Sequence, residues 1–240
     1  MKDRLRRAVN WVAPFLSWAT MCQPAVAQQQ MADPNFVATV DRPAYQADGP
    51  RVAVDEAHDN LHTMGGLYRP FADLLAADGF RVIPWTNTFQ ASWLEEVDIL
   101  VIANARNLDA IMAGDLTQSA FTAAEIEAVV DWVRGGGSLL LIADHAPFGN
   151  AAEAMGQRFG VSMGMGWAFD RKLDGGITTQ LDYSRANGLL GGHAILGGRA
   201  GEEEVNVVRT FTGRRSAYHP MPSFSCVLVR KPARRRRRMP

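Results

Sequence analysis

Four short runs of aliphatic and β-branched residues punctuate the chain: RVAV (51–54), FRVIPW (80–85), DILVIAN (98–104) and SLLLIA (138–143). Helical patterns separate them. GLYRPFADLLAADG places Leu67, Phe71, Leu74 and Leu75 at helical spacing and stops at Gly79. A short helical piece is expected near 91–96. Thr122 and Glu125 form a capping box for AAEIEAVVDWVR, whose Ile126, Val129, Val130 and Val133 make one apolar stripe before Gly135. Asn150 and Glu153 repeat that logic for a helix over about 151–159. DILVIAN is apolar enough to be buried on both faces. Strands alternating with helices predict an α/β fold, with a mostly parallel sheet between two helical layers. EEVNVVRTF (203–211) reads as a late strand with no assigned place in the sheet.

The ends differ from the body. MKDRLRR is basic, AVNWVAPFLSWATM is apolar, and Ala25-x-Ala27 offers a cleavage site, the layout of a secretory signal peptide over 1–27. Its apolar part falls short of the ~20 residues a membrane span needs. The expectation is therefore an exported protein, periplasmic or extracellular, with no stable membrane span after cleavage. Cleavage leaves Cys226 alone, so neither an internal disulfide nor a cysteine metal site is expected. Residues 28–50, with Pro34, Pro43, Gly49 and Pro50, read as a lead-in with little regular structure. The domain proper is expected over 51–213.

The formal net charge is zero, yet the charge is segregated. Residues 214–240 hold nine basic residues and no acid, while 28–213 hold 12 basic and 24 acidic residues. So acidic a body argues against nucleic acid as a partner. The tail is expected to be a disordered or aberrant extension, or the product of a frame change near Gly213.

VAVDEAH (52–58) spells the four letters of a helicase box. A helicase also needs a phosphate loop ending in Gly-Lys, and no Gly-Lys pair occurs. The same letters have another use. In an open parallel sheet, ligands bind beyond the carboxyl ends of the strands. The first strand ends in DEAHDNLHT, the third in NARN, and the fourth in ADHAPFGN. If these strands are neighbours, as in flavodoxin-like order, the three loops share one crevice. His145, Asp144, Glu56 and Asp55 are the candidate catalytic groups, since a carboxylate beside an imidazole orients it and raises its basicity. His58, Asn60, His62, Asn104 and Arg106 are the candidate binding groups for a small-molecule ligand. His58 and His62, four apart, would share a helical face and could also meet a divalent metal. No metal site is assigned and the cofactor is left unknown. His193, in a Gly-rich loop, reads as a turn residue.

VAVDEAHDNLHT, YRPFADLL, LVIANA and WVRGGGSLLLIADHAPF together resemble the class I glutamine amidotransferase-like superfamily, and more closely its exported bacterial branch, which is similar to the trehalose-utilisation type. The resemblance spans roughly 43–213 and implies a flavodoxin-like three-layer α/β/α sandwich. True amidotransferases of this kind carry a nucleophilic cysteine on a tight turn after a strand. The matching turn here is Asp144-His145, so a thiolate-dependent glutamine hydrolysis is not expected. Two functions fit the residues: a hydrolase of a small polar or sugar-like substrate, and a non-catalytic periplasmic binding module on the same fold.

Overall fold

β-Branched and aliphatic runs form strands because their side chains pack on a pleated surface, and burial on both faces suits the middle of a parallel sheet. The computed structural model describes residues 31–166, 168–171, 176–178, 180–211, 216–218, 221–223 and 226–229. The four runs are β1 (Arg51–Asp55), β2 (Arg81–Trp85), β3 (Ile99–Ala103) and β4 (Ser138–Ile142). Their order across the sheet is β2-β1-β3-β4, every pairing parallel. This is the flavodoxin-like order, with β1, β3 and β4 adjacent.

The helices are α1 (Arg69–Ala77), α2 (Ala91–Leu94), α3 (Leu108–Met112), α4 (Ala123–Gly135) and α5 (Phe148–Arg158). The α4 stripe, Ile126, Val129, Val130 and Val133, packs with Phe148 and Met155 of α5 against Leu100, Ile102, Leu139 and Leu141. On the other face Val52, Val54 and Val101 meet Phe71 and Leu75 of α1. The α/β/α sandwich therefore has one thick and one thin helical layer.

Two boundaries depart from expectation. α1 begins at Arg69 with Pro70 in its first turn, where a missing N–H costs nothing. α5 begins at Phe148, so Asn150 lies inside the helix rather than capping it, and its side chain donates to the Leu116 carbonyl. Glu153 caps no helix either. It accepts the backbone N–H groups of Met163 (2.5 Å) and Gly164 (2.9 Å), holding the chain that leaves α5. The short α3, N-capped by Asn107, lies in a stretch the periodicity left unassigned.

The lead-in has neither helix nor strand over 31–50, yet it is tied down. Tyr45 and Gly49 donate backbone N–H groups to Asp78 and Gly79. Gly79 sits at φ +89°, and a Cβ there would lie 2.1 Å from the Tyr45 carbonyl oxygen, so only glycine lets the two segments meet.

Beyond α5 the described chain forms antiparallel pairs outside the main sheet. β5 (Asp170–Arg171) pairs with β6 (Ile177–Thr178), and β7 (Gln180–Ser184) with β8 (Val207–Phe211). The late strand anticipated at 203–211 is thus β8, paired antiparallel with β7. Between them lies α6 (Ala194–Gly197), N-capped by His193, whose Nδ1 accepts the Ile195 N–H. β9 (Ser216–Tyr218) pairs with β10 (Met221–Ser223). β11 (Cys226–Val229), inside the basic tail, runs antiparallel along β4 and extends the sheet to five strands. Residues 1–27, expected to be a signal peptide, and the arginine run 234–238 lie outside the described residues. Among those residues, no helix is long and apolar enough to cross a membrane.

Candidate functional site

Parallel strands all release their chains at the same edge, so the loops after β1, β3 and β4 meet there. Main-chain bonds lace them together. Arg106 N–H donates to the His58 carbonyl at 2.8 Å, and Leu61 N–H to the Asn104 carbonyl at 3.0 Å. Asn104 Oδ1 accepts the Asp144 N–H at 2.8 Å. Asp59 (φ +47°) and Asn104 (φ +51°) turn the loops through left-handed backbone, which short polar side chains tolerate.

Within this edge eight of the nine candidates separate into two groups, and half-buried Glu56 serves the turn into α1. The first is buried. Asp55 is 0% exposed and His58 6%. The His58 Nδ1 lies 2.9 and 3.0 Å from the two Asp55 carboxylate oxygens, and its Nε2 lies 2.9 Å from Glu125 Oε1. Asn60 donates to Asp55 Oδ2 at 3.0 Å. Glu125 in turn accepts the Phe89 N–H and both the N–H and hydroxyl of Thr122, so its capping-box duty and its grip on His58 coexist. Phe89 and Phe121 flank the imidazole, with ring centres 4.6 and 4.8 Å away.

A neutral imidazole has a single N–H and could satisfy only one of these carboxylates. With both carboxyls ionised, both contacts are satisfied only by the imidazolium. Burial pushes the His58 pKa down, but Asp55 and Glu125 outweigh it, and the net shift is upward. Burial likewise raises Glu125, while His58 and Thr122 more than offset it, leaving its carboxyl below its ordinary range.

One expectation is corrected: His58 and His62 share no helical face, because the chain between β1 and α1 is bends and turns. Both His58 nitrogens face carboxylates. Asp55, Asn60 and Asn104 also take part in the bonds that hold the edge together. Glu56 accepts the Met64 N–H at 2.7 Å and stabilises the turn into α1.

The second group is half-buried: His62, Asp144, His145 and Arg106. His145 Nδ1 lies 2.7 Å from the Ala146 carbonyl, to which it can only donate. The neutral ring is therefore the Nδ1–H tautomer, with its lone pair on Nε2. That Nε2 stands 4.0 Å from Asp144 Oδ2, a carboxylate placed to stabilise the ring once Nε2 takes a proton. The opposite face of Asp144's influence is His62. Burial pulls the His62 pKa down, Asp144 offsets this only partly, and the imidazole is neutral at neutral pH. Among the described residues the buried His62 Nδ1 has no hydrogen-bond partner, and its ring rests on Tyr68 at 4.6 Å. Arg106 anchors its Nε on the Asp59 carbonyl at 2.7 Å. Among the described residues, no three or more His, Cys, Asp or Glu side chains are grouped to hold a metal ion.

Glu125 is the residue sequence reasoning missed. The capping box accounted for it fully, and no local pattern announces a contact 67 positions away.

A groove of about 1160 Å³ opens at the opposite, amino-terminal edge, lined among others by Tyr45, Arg81, Asp98, Asp131 and Trp132. It is wide and no histidine among the described residues lines it, so volume and chemistry separate. The carboxyl edge holds the imidazoles and carboxylates, and it is the end where parallel sheets place ligands.

No family model matches the chain, and no curated protein matches it. Among solved structures, the mmIFT52 N-terminal domain is similar, with 11% identity over 71% of this chain and 69% of that chain and a TM-score of 0.49. A likeness that distant does not bear on function.

Proposed function

We propose that the chain is an exported class I glutamine amidotransferase-like domain that hydrolyses a small polar or sugar-like substrate by proton transfer, without a cysteine nucleophile. The observation that carries the reading is Asp144 beside half-buried His145, which holds the tautomer of a general base, with the Asp144 charge also acting on half-buried His62. The β2-β1-β3-β4 order supports it by making the three polar loops neighbours. His145 Nε2 takes a proton from water, and Asp144 stabilises the imidazolium that forms. The water oxygen bonds to the electrophilic carbon of the substrate, and the imidazolium returns its proton to the departing group. His62, neutral and with no Nδ1 partner among the described residues, offers a hydrogen bond to the substrate. Arg106 holds an anionic or hydroxyl-rich group.

The test is a panel of chromogenic esters, amides, glycosides and phosphoesters offered to the full chain and to His145→Ala. The wild type is expected to turn over one class, and the variant to lose about 100-fold or more in kcat while unfolding at the same temperature. Equal turnover by the variant removes His145 from the chemistry. A compound that binds and is returned unchanged replaces the enzyme by the binding module.

A further inference from the structure

We propose that Asp55, His58 and Glu125 form a proton-held clamp, in which a His58 imidazolium ties the loop after β1 to the start of α4 and so sets the shape of the crevice. As regulation of the crevice the proposal rests on the reading of that edge as the working site; as a clamp it stands on geometry alone. Three groups that carry charge lie together under cover: Asp55, His58 and Glu125 are 0%, 6% and 5% exposed. Their lone pairs and N–H groups are matched one to another and to Ala57, Asn60, Phe89 and Thr122. The charged groups facing His58 are Asp55 from β1 and Glu125 from α4, and its remaining ring neighbours, Phe89 and Phe121, carry no charge.

What the clamp holds is specific. His58 accepts the Arg106 N–H on its carbonyl and donates its own N–H to Asn60 Oδ1 at 3.1 Å. Through these bonds the loop bearing Glu56, Asp59 and His62 is fixed against the loop bearing Asn104 and Arg106. Loss of the His58 proton leaves a lone pair facing a carboxylate at 2.9 Å, and two buried carboxylates with no cation between them. The least costly relief is for the loop after β1 to move off α4. The crevice is then open to the alkaline side of the His58 titration and set on the acidic side.

The experiment is nitrogen NMR on the full chain, following the His58 ring and the backbone amides across pH. At pH near 7 both His58 nitrogens should carry protons. As the ring titrates, the hydrogen-exchange protection of Leu61 and Arg106 should fall by about tenfold or more, corrected for intrinsic exchange. Protection of Val101 and Leu141 in the sheet should not follow. In Glu125→Gln the His58 titration should move to lower pH by about one unit or more. A neutral His58 ring at pH 7, or loop protection indifferent to its titration, overturns the proposal. Should Glu125→Gln fail to fold, the wild-type titration still decides. Turnover is not read here, so failure of the hydrolase reading and failure of the clamp are separate results.

Discussion

His58→Ala is expected to cost about 3–5 kcal/mol of stability near pH 6, read from urea unfolding. The deletion does more than remove a side chain. Asp55 and Glu125 are left as two buried carboxylates, and the cation that compensated both is gone. Desolvation that was offset becomes a net cost, which is why breaking a buried pair is worse than never having built one. Glu125→Gln should cost less, because the amide keeps the capping-box contacts with Thr122. A double-mutant cycle between the two positions should show strong coupling, since each loss already includes the other's.

The pH dependence has a definite sign. The folded His58 pKa is raised above 6.5, so its contribution is fully present below 6.5 and is lost as pH rises through the folded value. The folded Glu125 pKa is lowered below 4.5, so its contribution is present above 4.5 and is lost as pH falls through the folded value. Wild-type stability from the clamp is therefore greatest between those limits, and the His58→Ala difference should shrink on the alkaline side.

Leu100→Ala is expected to cost about 2–5 kcal/mol, while Leu140→Ala should cost less than about 2 kcal/mol. Leu100 is 0% exposed on the thick-layer face of β3. Its register neighbours are Ala53 and Leu139, fixed in their own strands, so the cavity cannot collapse sideways. Leu140 points to the thin-layer face, half-buried beside the α1 contacts. Equal losses in the two variants would contradict the asymmetry of the sandwich.

The order of elements was legible because parallel strands buried on both faces leave continuous apolar runs, and because Gly79 and the α4 stripe mark helix limits. All four main-sheet parallel strands lie within a residue or two of their runs. The meeting of the three polar loops was legible only on the condition of flavodoxin-like order, which alternation alone does not fix and the β2-β1-β3-β4 order supplies. The roles inside the edge were not. Asp55, His58 and Asn60 look the same in sequence whether they face solvent or each other, and only the depth of the loop beneath α4 decides. Asn150 misled because a box pattern specifies a helix start only when the chain enters at that point, and Pro147 admitted α5 earlier. β8 read correctly as a strand, but a strand's partner is a non-local fact, and β7 has little apolar signal of its own.

The most direct test of the central claim is where small polar compounds bind. Chemical-shift mapping of the full chain with a set of polyols, sugars and small carboxylates should move signals at His62, Arg106, Asp144 and His145, at the carboxyl edge of the sheet. Shifts confined to Tyr45, Arg81 and Trp132 would place binding in the groove at the opposite edge. That result would contradict a working site built on Asp144 and its two imidazoles.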